Sequence, residues 1–187
     1  MSNAILTSSQ FQNYRKIDLI VVHCSATRCD RSFSLEAVIA CHKARGFATV
    51  GYHYYITRDG TIHAGRPLYQ EGAHATGYNR RSIGVCYEGG LNPNGKPADT
   101  RTPAQKETLR KLLIRLKTDY PEVRIVGHRD LPGVNKACPC FDAAREYAMP
   151  TEARNTNGKC VPSHPCLSPI SRNSIVCACE RGDPPFP

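Results

Sequence analysis

The chain has 187 residues, 40% of them hydrophobic and 22% charged, which suits one packed domain with appendages and excludes global disorder. No stretch approaches the roughly 18 apolar residues of a membrane span, and Met1-Ser2-Asn3-Ala4 opens without the basic and apolar regions of a secretory signal. Lys and Arg outnumber Asp and Glu by 25 to 16. These basic residues are scattered, with no arginine-rich run, helix-turn-helix or zinc-finger pattern, so the charge predicts attraction to anionic surroundings and no nucleic-acid recognition.

Residues 1–16 read as a polar leader. Ile17–His23 is rich in β-branched residues and lacks polar alternation, which predicts a central buried strand. Ser34 is placed to cap a helix running to about Arg45, with Glu36 in its first turn and Gly46 just past its end. Tyr52–Thr57 and Thr61–Ala64 predict a hairpin around Arg58-Asp59-Gly60. Ser82–Tyr87 reads as another short strand, followed by loops at Gly89-Gly90 and Asn92-Pro93-Asn94-Gly95. Pro103–Asp119 carries the strongest helix signal. Thr102 and Gln105 form a capping box, Pro103 takes the first helical position, and Leu109, Leu112, Leu113 and Leu116 share one face. Arg110, Lys111, Arg115 and Lys117 cover the other faces, as a solvated surface requires. Val123–Val126 predicts a strand that delivers Gly127-His128, and Phe141–Met149 a short last helix. This alternation predicts an α/β domain over residues 17–149, a mixed central β-sheet with helices packed on it. Residues 150–187 hold a cluster of prolines and four cysteines, Cys160, Cys166, Cys177 and Cys179, without periodicity, and read as an irregular tail.

Ten cysteines in a chain without an export signal are expected to be mostly reduced. Cys24, Cys41 and Cys86 are expected to be small buried apolar residues. His23 ends the first strand, His128 follows the last one, and Cys138 comes ten residues after His128. Two histidines and a cysteine suit zinc and leave its fourth position to water. Cys24 and Cys140 are the candidates for a fourth ligand. Strand alternation turns Cys24 away from His23, whereas Cys140 stays open. Taken alone, a strand-end histidine is more often a satisfied core residue, and a lysine such as Lys136 more often lies on the surface.

The wider wording decides between these readings. His-Cys-Ser-Ala-Thr from His23, Gly-Tyr-His-Tyr from Gly51, Arg-Asp-Gly-Thr from Arg58 and Gly-Ala-His-Ala-x-Gly-Tyr-Asn from Gly72 occur in that order. Ser-Ile-Gly-Val-Cys from Ser82, Thr-Pro-Ala-Gln from Thr102, Gly-His-Arg from Gly127 and Lys-Ala-Cys-Pro-x-Phe-Asp from Lys136 complete the set. Together they resemble the type-2 N-acetylmuramoyl-L-alanine amidase family, in particular its phage and prophage lysins, over roughly residues 17–149. Animal peptidoglycan recognition proteins belong to the same superfamily.

The resemblance implies a monomeric enzyme with one Zn2+ that cuts the amide between the N-acetylmuramoyl lactyl group and L-alanine in peptidoglycan. It implies zinc ligands at His23, His128 and Cys138, active-site roles for Tyr52 and Lys136, and a substrate groove lined by His74, Tyr78 and Asn79. A weaker candidate for returning a proton to the leaving amine is Glu88. No matched role falls to His42, His53 or His63, read as surface or packing residues, nor to Arg66 or Arg80, read as exposed. A lysin without a signal would be made in the cytoplasm and reach the wall after release or permeabilisation. Two other readings stand beside this one: a non-catalytic module that holds muropeptides, and a cytosolic amidase that recycles them.

Overall fold

A computed structural model describes residues 15–148. The expectation of an irregular cysteine- and proline-rich tail lies outside the described residues, as does all of the leader before Arg15.

The strands are β1 (Leu19–Cys24), β2 (Thr27–Arg28), β3 (Tyr54–Ile56), β4 (Ile62–Ala64), β5 (Ser82–Tyr87), β6 (Gly90–Leu91) and β7 (Arg124–Gly127). The helices are α1 (Leu35–Ala44), α2 (Pro103–Asp119) and α3 (Ala143–Glu146). The main sheet runs β4-β3-β5-β1-β7. Its strands are parallel except β4, which folds back antiparallel on β3, so the sheet is mixed as expected. Parallel strands need cover on both faces. Ile20, Val22 and Cys24 point with Ile56, Ile83, Val85 and Tyr87 into a core closed by Leu109, Leu112, Leu113 and Leu116 of α2. Each of those leucines contributes about 1.5–3 kcal/mol by burial. The alternate residues face the other way: Leu19 and Val21 meet Ala75 and Leu131, and Tyr55 and Cys86 meet Val38 of α1 and Val50. This strand alternation sends His23 and Cys24 to opposite sides of the sheet.

Local chemistry fixes α2 where the sequence predicts it. Thr102 Oγ1 accepts from Gln105 N at 3.1 Å and Gln105 Oε1 accepts from Thr102 N at 3.0 Å. The buried Gln105 amide then donates to the carbonyls of Ile56 and Glu88, tying the helix start to the sheet.

Four features depart from the sequence expectations. The last helix shrinks from Phe141–Met149 to Ala143–Glu146, because Asp142 caps it and Phe141 turns inward against Tyr87 and Tyr147. Gly90, expected in a loop, pairs with Thr27 in a two-stranded ribbon. Its φ of +98° suits glycine, and a Cβ there would sit 2.5 Å from Cys24 Sγ. Cys41 is exposed rather than buried, since the phase of α1 turns Val38 and His42 inward. Arg15, within the expected leader, is bonded to the domain. Its guanidinium donates to the carbonyls of Leu68, Gln70, Asn79, Arg80 and Ser82.

His53 is buried beside this clamp. Its Nδ1 accepts from Gly84 N at 3.0 Å, and its Nε2 lies 3.0 Å from Gln70 O. Burial pushes its pKa down to about 4, opposed by the Gln70 contact and reinforced by the nearby Arg15 and Arg66 charges. An unfolded histidine binds a proton near pH 6.5, so the unfolded chain holds more protons between pH 6.5 and 4. Stability contributed by His53 is therefore full above pH 6.5, falls as the pH drops and levels off below about 4, a loss on the order of 3 kcal/mol. In urea titrations against pH, His53→Asn should keep an acceptor for Gly84 N and flatten this slope by close to one proton. An unchanged slope would show that His53 does not titrate on unfolding.

Candidate active site

The carboxyl ends of β1 and β7 converge on one face of the sheet. His23, the second-last residue of β1, is buried there. Past Gly127 the chain enters a single 3-10 turn, His128–Asp130, and Asp130 Oδ2 accepts from Gly127 N at 2.7 Å, which sets the His128 backbone. The returning loop is pinned from two sides. Arg129 N donates to Cys138 O at 2.8 Å, and Tyr87 Oη donates to Pro139 O at 2.6 Å. These restraints bring one ligand atom each from His23, His128 and Cys138 within 4.8 Å of one another. Cys138 Sγ lies 3.8 Å from His23 Nδ1 and accepts from Cys24 N at 3.3 Å.

Cys140 does not join this group. Its Sγ lies 3.8 Å from Cys24 Sγ and 3.1 Å from Gly90 O, packed with the α2-side core. Cys24 likewise points to that side, as strand alternation predicts.

The group opens into a cleft of about 680 Å³, also lined by Tyr52, His74, Asn79 and Lys136. Burial, and then the neighbouring imidazoles and cationic side chains, which oppose any added positive charge, push the pKa of His23 and His74 down, and burial followed by the Lys136 ammonium does the same to His128. All three imidazoles therefore stay neutral with lone pairs to offer. Burial pushes the Tyr52 phenol well up, so its hydroxyl keeps its proton. The Tyr52 ring centroid lies 5.2 Å from that of His23.

The residues expected to line the groove divide. His74 lines it, but both ring nitrogens turn inward, Nδ1 lying 3.0 Å from His23 Nε2 and Nε2 3.4 Å from Ser82 Oγ. Asn79 lines it too, with its side-chain oxygen committed to the amides of His74 and Ala75. Tyr78 does not line it. Its ring packs beside Leu19 and Val21 and lies under the Arg81 guanidinium, so it supports the groove from behind. Glu88 is turned elsewhere: its carboxylate accepts from Phe33 N and Arg58 N and lines a separate cleft with Asp59 and His63, which removes it as a proton donor here. Arg66, expected to be exposed, is half-buried and donates to the carbonyls of Val50 and Glu71. Arg80 is exposed as expected.

His42 and Arg45 were not singled out by motif, yet both line the cleft. His42 falls one helical turn after Val38 on the buried face of α1, a spacing that could have found it. Its Nδ1 accepts from Gly51 N at 2.9 Å, which steadies the chain leading into Tyr52.

Three comparisons agree with this geometry. Residues 13–141 match the family described as N-acetylmuramoyl-L-alanine amidase. The endolysin of Escherichia phage T7 is 43% identical over 136 residues, covering 73% of this chain and 89% of its own. That of Klebsiella phage KP32 is 42% identical over the same shares. Among solved structures, the N-acetylmuramoyl-L-alanine amidase LysC from Clostridium intestinale URNW superposes with a TM-score of 0.60 at 30% identity, covering 71% of this chain and 83% of its own. With its mixed sheet, its histidine–cysteine cluster and these relatives, the chain belongs to the N-acetylmuramoyl-L-alanine amidase family.

Proposed function

We propose that the chain is a zinc-dependent lysin that hydrolyses the amide between the N-acetylmuramoyl lactyl group and L-alanine of peptidoglycan. The observation that carries this is the meeting of His23, His128 and Cys138 in one cleft with Tyr52 and Lys136. The donor set fits zinc. Bonds of about 2.0–2.3 Å at tetrahedral angles put ligand atoms about 3.5 Å apart, near the 3.8 Å between Cys138 Sγ and His23 Nδ1. The amide of Cys24 donates to Cys138 Sγ and so orients that sulfur within the group.

Zinc held by these three residues would supply a Lewis acid that activates water at neutral pH and polarises the scissile carbonyl. The remaining steps belong to the protein. Lys136 brings a positive charge to the cleft, and the protonated Tyr52 hydroxyl brings a donor; both suit the carbonyl oxygen as it gains negative charge. Either can then give a proton to the departing L-alanine amine. His74 and Asn79 form part of the wall against which the glycan–peptide lies, and Tyr78 backs that wall. The phage endolysins among the relatives support a wall-directed role after release of the protein from the cytoplasm.

Purified peptidoglycan digested by the zinc-loaded chain should release free L-alanine amines without new reducing sugar ends. Reducing ends in their place would mark a glycosidase and sink the proposal. Lys136→Ala should slow the release about tenfold to a thousandfold, the range for losing an oxyanion or proton-transfer group. Its zinc content and thermal unfolding should match the parent, and undiminished turnover would remove Lys136 from the reaction.

A further inference from the structure

Behind His23 runs a line of hydrogen bonds whose direction can be worked out one atom at a time. It ends at the backbone carbonyl of Tyr78, which can only accept. Ser82 Oγ lies 2.8 Å from that carbonyl and has one hydrogen to give. With that hydrogen directed at Tyr78 O, the 3.4 Å contact between Ser82 Oγ and His74 Nε2 must run the other way, with His74 Nε2–H donating. A neutral imidazole with its proton on Nε2 presents a bare Nδ1. His74 Nδ1 lies 3.0 Å from His23 Nε2, so His23 donates. That leaves His23 Nδ1 bare, the nitrogen that lies 3.8 Å from Cys138 Sγ.

We propose that Ser82 and His74 are positioning residues that set the proton of His23 on Nε2 and so present Nδ1 as the ligand atom, an inference that rests on the zinc reading above. The line is rigid along its length. Ser82 is fully buried and His23 nearly so. The His74 ring sits in a slot between two glycines. A Cβ on Gly84 would come within 2.6 Å of the ring, and one on Gly72 within 2.3 Å. The main chain is held as well: Asn79 Oδ1 accepts from His74 N, and Arg15 Nη2 donates to Ser82 O at 2.8 Å. A metal-binding histidine gains affinity when its other nitrogen is held by a fixed acceptor. Here the acceptor is a second histidine, whose own tautomer is set by a serine.

Two measurements test this. The first is zinc affinity by competition with a chromophoric chelator. His74→Ala and Ser82→Ala should each weaken zinc binding by about tenfold to a hundredfold. His74→Asn should recover most of the loss, because its amide oxygen stands near the place of Nδ1 and can accept from His23. Equal weakening in His74→Ala and His74→Asn would assign the ring to packing alone and overturn the proposal, as would unchanged affinity in all three. The second is ring-nitrogen NMR of the unmutated chain, with and without zinc. It should show the His23 proton on Nε2 in both states and the His74 proton on Nε2. A proton on His23 Nδ1 in the metal-free chain overturns the proposal without touching the zinc reading. A chain that binds no zinc but keeps the His23 proton on Nε2 would end the zinc reading and uphold the hydrogen-bond order.

Discussion

Cys138→Ala is expected to strip the chain of stoichiometric zinc and to slow amide hydrolysis on the order of a thousandfold or more, because two histidines alone make a weak, open site. Cys140→Ala, two residues away, should keep zinc and rate near the parent values. The contrast follows from where the two sulfurs stand. Cys138 Sγ faces His23 Nδ1 and receives the Cys24 amide, whereas Cys140 Sγ is turned through the loop onto Cys24 Sγ and the Gly90 carbonyl. Burial first, and then the neighbouring Cys24, push the Cys140 thiol up to about 12, so it stays protonated and is a poor metal ligand at neutral pH. Metal content per chain and initial rates on purified peptidoglycan read both variants. Full zinc in Cys138→Ala together with loss in Cys140→Ala would transfer the ligand role to Cys140.

Arg101→Ala should cost about 3 kcal/mol of folding stability, the lower end of the range for breaking a buried ion pair, since its partners keep some contact with water. The Arg101 side chain is 1% exposed, against 30% for Asp99 and 41% for Glu146. It makes paired hydrogen bonds to each carboxylate, a further one to Tyr147 Oη at 3.0 Å, and lies 3.2 Å above the Phe141 ring centroid. In this way it ties the start of α2 to α3 and to the segment that follows Cys140. Burial opposes the charges here, but the bonds to Arg101 outweigh it and hold Asp99 low; for Glu146 those bonds are the leading influence and act in the same direction. Carboxylates held below their unfolded values stabilise the fold above about pH 4, and this is lost as the pH falls through the lower folded values. Arg101→Ala should therefore lose stability at neutral pH and show a shallower acid limb. Arg101→Lys should recover little, because a lysine cannot make two paired contacts. Urea unfolding at pH 7 and in the acid range measures this; a loss under about 1 kcal/mol would mean that water replaces the network at little cost.

What could be read in the sequence was what local chemistry governs. The Thr102–Gln105 box, Pro103 and the four leucines specify α2 from its seventeen residues and the cap just before them, and the structure returns the same bounds. The Asp59-Gly60 turn behaves likewise. The meeting of His23, His128 and Cys138 was legible through the ordered motifs, which single out Cys138, whereas residue chemistry alone left Cys140 open, because neither cysteine sits on a regular strand whose alternation could sort them. Long-range pairs were hidden for a related reason. His74 and His23 are 51 residues apart, and a motif that marks His74 as important cannot say that its nitrogens face inward. Glu88 looked usable as an acid until its two amide donors were seen. Phe141 was counted in the expected last helix, whereas Asp142 caps that helix and the Phe141 ring stacks under Arg101.

The carbonyls gathered around Arg15 bear on where the catalytic body begins. A minimal fragment starting at Ile17, the natural cut if the first strand is taken as the first structural element, would discard the guanidinium and keep the oxygens of Leu68, Gln70, Asn79, Arg80 and Ser82 that converge on it. Converging carbonyl dipoles repel one another and would be left to water in a space shaped for a cation. The stretch they belong to carries His74 and Asn79 to the wall of the cleft. The boundary of the domain therefore lies upstream of its first strand, and shortening the chain there would loosen the wall of the cleft formed by His74 and Asn79 before it touched the sheet.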